Sequence, residues 1–105
     1  MYTIQNLNHD FKSTFMIKNY SLVISGRVQG VFYRNFTLNK ALELGIKGYV
    51  MNMPDGSVFI EAEGEEAILE ELIKYCKIGP PKADVTGVKK QLGVIIGYTD
   101  FIIKR

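Results

Sequence analysis

The 105-residue chain is short of the residues that most often mark a specialised site: one cysteine, one histidine, three prolines and no tryptophan. A lone Cys76 closes no internal disulfide, so no disulfide frame supports this fold, and a single thiol fits a reducing cytoplasm. His9 is the only histidine, so a histidine-rich metal site, a histidine nucleophile and a serine triad all lack their parts. No apolar run approaches the eighteen or so residues of a membrane span. The stretch around Asn6, Asn8, His9 and Asp10 has neither the basic flank nor the apolar core of a signal peptide. Charge of one sign is also scarce, with a net +2. Residues 77–105 carry six basic and two acidic side chains, but Lys82, Lys89, Lys90 and Lys104 are scattered, which reads as a solvated edge rather than an anion-binding patch.

With 47% hydrophobic and 23% charged residues, the composition is that of an ordinary soluble domain. The length allows one core and a short tail. Residues 1–18 keep no period around Phe11, Phe15 and Met16 and read as a poorly ordered N-terminal extension, with the domain proper at 19–105. Tyr20–Ser25 alternates as a strand, and a loop follows from Gly26 to Phe32. A helix is expected over Tyr33–Leu44, with Tyr33, Thr37, Ala41 and Leu44 on one stripe and Gly45 as its C-cap.

Ile46–Asn52 and Ser57–Glu63 are strands joined by Met53-Pro54-Asp55-Gly56, whose Asp-Gly is a strong turn signal. Glu61 and Glu63 share the strand face opposite Val58, Ile60 and Ala62, and read as its wet side. Ile68, Leu69, Leu72, Ile73 and Cys76 form the apolar stripe of a second helix over Glu65–Lys77, stopped by Gly79-Pro80-Pro81. Strands at Asp84–Leu92 and Tyr98–Lys104 follow, joined by an apolar link over 93–97 that has no assigned role. The order β-α-β-β-α-β-β implies an α+β, ferredoxin-like sandwich with two helices packed on one face of an antiparallel sheet.

Few sites are left by these exclusions. There is no nucleotide P-loop and no dinucleotide glycine fingerprint. Cys76 lies on an apolar stripe with no arginine close behind it, so it reads as a buried thiol. What remains is the loop Gly26-Arg27-Val28-Gln29-Gly30-Val31-Phe32 with a helix starting behind it. Backbone N–H groups in such a turn can receive an oxyanion, and the helix N-terminus adds partial positive charge. Arg34, in the first helical turn, has the fork geometry that grips two phosphate oxygens. On spacing alone, a glycine-containing turn before a helix is more often structural than ligand-binding, and Asn52 reads equally well as a hairpin residue.

Two longer stretches carry a resemblance. Gly26-Arg27-Val28-Gln29-Gly30-Val31-Phe32-Tyr33-Arg34 is similar to the first signature of the acylphosphatases, Gly-x-Val-Gln-Gly-Val-x-aromatic-Arg. Gly48-Tyr49-Val50-Met51-Asn52 through Gly56-Ser57-Val58 resembles their second, and Tyr98-Thr99-Asp100-Phe101 their terminal strand. The resemblance runs from about residue 20 to 105. It implies that Val28, Gln29, Gly30, Val31, Phe32 and Tyr33 cradle a phosphate, that Arg34 is the catalytic arginine, and that Asn52 positions the attacking water. Gly26 and Thr37 would support the site. The implied substrate is a small-molecule acyl phosphate, with no metal and no cofactor.

The residue chemistry agrees with that expectation. An arginine, backbone donors and an amide stabilise a transferring phosphoryl group, but nothing here protonates a poor leaving group. A carboxylate leaves as a stable anion, so a mixed carboxylic–phosphoric anhydride fits and an alkyl phosphate does not. The competing reading is an RNA-binding module on the same element order. Its third strand would carry aromatics in a basic surround, whereas this one has Phe59 beside Glu61 and Glu63. A third possibility is an accessory domain of the acylphosphatase-like type found in larger carbamoyl-transfer enzymes. The expectation is therefore a monomeric cytoplasmic enzyme that engages neither nucleic acid nor membrane.

Overall fold

The computed structural model describes residues 16–105. The expected disordered extension, with His9, Phe11 and Phe15, lies almost wholly outside the described residues. The elements are β1 (Ile17–Arg27), α1 (Tyr33–Leu44), β2 (Lys47–Asn52), β3 (Val58–Glu65), α2 (Glu66–Ile78), β4 (Asp84–Gly93) and β5 (Phe101–Ile103). They build one five-stranded sheet in the order β4-β1-β3-β2-β5. Every pairing is antiparallel except β2 with β5, which is parallel. This is the ferredoxin-like arrangement, with both helices packed on the sheet.

The core follows from the period-2 pattern of the central strands. Tyr20, Leu22 and Ile24 of β1 lie opposite Ala62, Ile60 and Val58 of β3, and all six are buried. Tyr33, Thr37 and Ala41 of α1 and Leu69, Leu72, Ile73 and Cys76 of α2 cover them. Each large side chain buried this way contributes on the order of 1.5–3 kcal/mol. Leu42 lies off the stripe of α1 and is exposed, as its phase dictates. Gly45 ends α1 in the left-handed conformation, where its N–H reaches the Ala41 and Leu42 carbonyls.

Three details differ from the sequence reading. β1 begins at Ile17, so Ile17 and Lys18 pair with Glu65 and Gly64 rather than belonging to a tail. β5 is only three residues long, Phe101–Ile103, and the Tyr98 N–H, expected in this strand, donates to the Glu63 carboxylate.

The third concerns Glu63, which is no wet-side residue. It is buried and accepts hydrogen bonds from the Ile96, Gly97 and Tyr98 N–H groups at 2.5, 3.0 and 3.1 Å. The Asn19 amide donates to it at 2.9 Å. The link over 93–97 is thus a strap held across the second face of the sheet by one carboxylate. Burial opposes the charge on Glu63, but the Ile96 N–H, the Asn19 amide and the Tyr98 and Gly97 N–H groups outweigh it and hold the carboxyl below its usual range. Glu61 is partly covered and accepts the Tyr98 hydroxyl at 2.7 Å.

Candidate active site

The topology decides which residues meet. β1 and β2 both run antiparallel to β3, and β5 runs parallel to β2, so the C-terminal ends of β1, β2 and β5 lie at one end of the sheet. The loop after Arg27, Asn52 at the end of β2, and Ile103 to Arg105 after β5 gather there. They line a pocket of roughly 300 Å³ formed by Val28, Gly30, Phe32, Tyr33, Arg34, Asn35, Asn52, Ile103 and Arg105. Ligands in open α/β sheets also bind beyond the carboxyl ends of strands, where loops are free to vary.

The loop is shaped by close approach and by strain. At Gly26, φ is 117°, and a Cβ there would run into the Asp84 carbonyl and the Thr86 N–H of β4. Only glycine tolerates this close approach at the bulge where Thr86 of β4 stands unpaired between the Ser25–Gly87 and Gly26–Val85 pairs, just before the chain enters the loop. Gly30 and Phe32 both have positive φ, 73° and 66°. Phe32 is the sole non-glycine residue with positive φ among the described residues, a conformation that costs a bulky side chain about 1–2 kcal/mol. Phe32 is also the N-cap of α1, and its side chain makes no capping hydrogen bond.

The first turn of α1 contains no acidic residue, so its partial positive charge is uncompensated from within. Among the described residues, no backbone N–H from Gln29 to Tyr33 donates to a loop or turn carbonyl. Donors, a helix N-terminus and the Arg34 guanidinium therefore share one pocket wall that carries no acidic side chain. That combination has the chemistry an oxyanion site requires.

Asn52 has a distinct place. Its Oδ1 is buried without a hydrogen-bond partner, the sole side-chain atom of that kind among the described residues. Buried polar atoms are nearly always paired, so an unpaired one on a pocket wall marks capacity kept from the fold. The hairpin that carries it is held firmly. Asp55 Oδ1 accepts from the Ser57 N–H at 2.9 Å and the Ser57 hydroxyl at 2.6 Å, which holds its carboxyl below the usual range.

Of the residues expected at the site, Val28, Gly30, Phe32, Tyr33, Arg34 and Asn52 line the pocket, and Gln29, Val31, Gly26 and Thr37 do not. Val31 points into the core. The side chain of Gln29 turns away and donates to the Met53 and Ser57 carbonyls at 2.8 and 2.9 Å. It ties the loop to the hairpin that bears Asn52. Thr37 donates to the Tyr33 carbonyl at 3.0 Å and is buried, so it braces the first turns of α1. Tyr33 donates its hydroxyl to the Cys76 carbonyl at 2.7 Å, locking α1 to α2. Burial pushes the Cys76 thiol up to about 12, against a smaller opposite effect of the Tyr33 hydroxyl, so the thiol stays protonated and inert. Arg105 and Ile103 were not expected at the site. They lie outside both signatures, and only the parallel β2–β5 pairing carries them there.

Fold and pocket together define a small α+β sandwich with a glycine-containing loop and a basic pocket between its first strand and first helix. The comparisons with known proteins agree. The Acylphosphatase family model matches residues 20–103. An acylphosphatase of Thermotoga maritima is 49% identical over 88 residues, which cover 84% of this chain and 98% of that relative. The crystal structure of acylphosphatase from Bacillus subtilis superposes with a TM-score of 0.82 at 34% identity, covering 86% of this chain and all of that one. The same fold also matches part of full-length HypF, with a TM-score of 0.77 and 31% identity over 86% of this chain and 12% of that one. The chain belongs to the acylphosphatase family.

Proposed function

We propose that this chain hydrolyses acyl phosphates to a carboxylate and inorganic phosphate. The N–H groups of the loop from Val28 to Tyr33 and the Arg34 guanidinium hold the phosphoryl oxygens. The Asn52 amide holds a water in line with the phosphorus. The water oxygen bonds to phosphorus as the bond from phosphorus to the acyl oxygen breaks. The electron pair leaves with the carboxylate, and the proton of the water ends on the phosphate. No general acid is required, because the leaving carboxylate is already a stable anion, and a loose transition state needs little activation of the water. The site works by positioning and by charge stabilisation.

The observation that carries this reading is Asn52: a buried amide oxygen without a partner on the wall of a pocket that also holds Arg34. Membership of the acylphosphatase family supports it. The test is release of phosphate from benzoyl phosphate, which inorganic phosphate should inhibit competitively. We also propose that the reaction needs no divalent metal, so turnover should survive exhaustive chelation. Loss of turnover restored by magnesium or zinc would overturn metal independence alone, whereas no release from any acyl phosphate would overturn the activity. We further propose a cytoplasmic monomer that leaves single-stranded RNA unbound, which sedimentation and a mobility shift would check.

A further inference from the structure

Phe32 is poorly placed for the stability of the fold. Its backbone adopts a conformation that glycine would take without strain, and its side chain is 73% exposed. The residues on either side, Val31 and Tyr33, are buried at 4% and 1% exposure, so the loop had apolar positions inside the core and Phe32 is not one of them. A strained backbone and an exposed ring together give the fold no return. Such outliers persist where the side chain serves a site. Phe32 is among the residues that line the pocket holding Arg34, and Ile103 is a second apolar residue of that lining.

The two ends of an acyl phosphate differ chemically. The phosphoryl end takes the N–H groups and Arg34, which leaves the apolar part of the wall for the acyl substituent. We propose that Phe32, with Ile103, forms an acyl subsite that selects substrates with a large apolar and above all an aromatic acyl group. A flat aryl group meets the Phe32 ring face or edge and removes its exposed surface from water. An acetyl group is too small to cover it. This inference rests on the acyl phosphate reading above and names the class of substrate within it.

The experiment compares kcat/KM for benzoyl phosphate and for acetyl phosphate in the full chain and in two variants. Phe32→Gly removes the ring while keeping a residue suited to the positive φ. Phe32→Tyr keeps an aromatic ring at the same backbone strain. In the natural chain the ratio should favour benzoyl phosphate. Phe32→Gly should lower that ratio about tenfold, and Phe32→Tyr should retain most of it. The ratio is the readout because any damage to the phosphate loop lowers both substrates together. An unchanged ratio in Phe32→Gly, or an equal loss of the ratio in Phe32→Tyr, overturns the subsite. Absence of turnover on both substrates in the natural chain overturns the activity itself, a different outcome.

Discussion

The two ends of the sheet use the same device in opposite ways. At the strap end, three successive backbone N–H groups, of Ile96, Gly97 and Tyr98, close on the carboxylate of Glu63, and the Asn19 amide completes the set. At the loop end, the N–H groups from Gln29 to Tyr33 donate to no loop or turn carbonyl, and the pocket that Gly30, Phe32, Tyr33 and Arg34 help to line has no acidic side chain. One set of donors is satisfied from within and contributes to stability. The other leaves its donors without a partner in the loop, and in the proposed function they serve the phosphoryl group. A chain that binds an external oxyanion differs here from one that staples itself only in whether an acidic residue lies opposite the donors.

That contrast predicts a separation of effects, and the largest is at the loop end. Arg34→Ala should abolish most turnover and weaken competitive inhibition by phosphate, because the forked cation is lost. Asn52→Ala should lower kcat by about 10²-fold, in line with removal of a single donor from other sites, while phosphate still binds. Neither should lower the melting temperature much, since neither side chain holds the fold together. Wild-type turnover in Asn52→Ala would remove its water-positioning role.

The next effect is at the strap end and reverses the pattern. Glu63→Ala strands three backbone N–H groups, a loss of roughly 2–3 kcal/mol, so the melting temperature should fall by about 10 °C or more. Turnover measured well below the new transition should persist. Acid should mimic the substitution in part. The Glu63 carboxyl is held below its ordinary value of 4.5, so its stabilisation is complete above that pH and is lost as pH falls through the lower folded value. In Glu63→Gln that acid-dependent loss between the two values should shrink. Equal acid sensitivity of Glu63→Gln and the natural chain would show that other carboxylates set the acid limb.

Gln29→Ala tests the connection between the loop and Asn52, with a smaller effect of about tenfold in kcat/KM. The expectation follows from its two hydrogen bonds to the Met53 and Ser57 carbonyls, which tie the loop to the hairpin that carries Asn52. Phosphate inhibition should change less than turnover.

Much of this arrangement was legible in the residues, and the exceptions have physical reasons. The spacing of Tyr33, Thr37 and Ala41, the Asp55-Gly56 turn and Gly45 identify their elements because each obeys a local rule. Arg34 and Asn52 are legible through the two signatures. Glu63 is not, because strict alternation says which face a side chain takes and not whether a later segment covers that face. The strap of Val94, Ile95 and Ile96 looked purposeless for the same reason: its partner lies more than thirty residues away, and the contact is made by its backbone. Arg105 needed the strand order, since nothing local shows that β5 runs parallel to β2. The sequence places Phe32 in the loop through the first signature, but its positive φ is invisible there, because no residue type at that position announces the left-handed conformation.

The smallest effect is expected from the N-terminus. A chain starting at Met16 should melt within a few degrees of the full chain and turn over acyl phosphates at the same rate. β1 begins at Ile17, so this start keeps every paired residue of the strand, including Ile17 opposite Glu65. The strand's 11 residues put roughly 33 Å between that start and the loop that follows Arg27. The removed residues therefore join the domain at the strap end, remote from the loop that follows Arg27. Phe11 and Phe15 supply the opposing argument, since an aromatic side chain that docks on the domain would contribute on the order of 1.5–3 kcal/mol. The two outcomes differ in kind. A fall of roughly 10 °C in melting temperature with unchanged kcat would make residues 1–15 part of the strap end's structural role. A loss of turnover without a loss of stability would place them in the working site and break the division between the two ends.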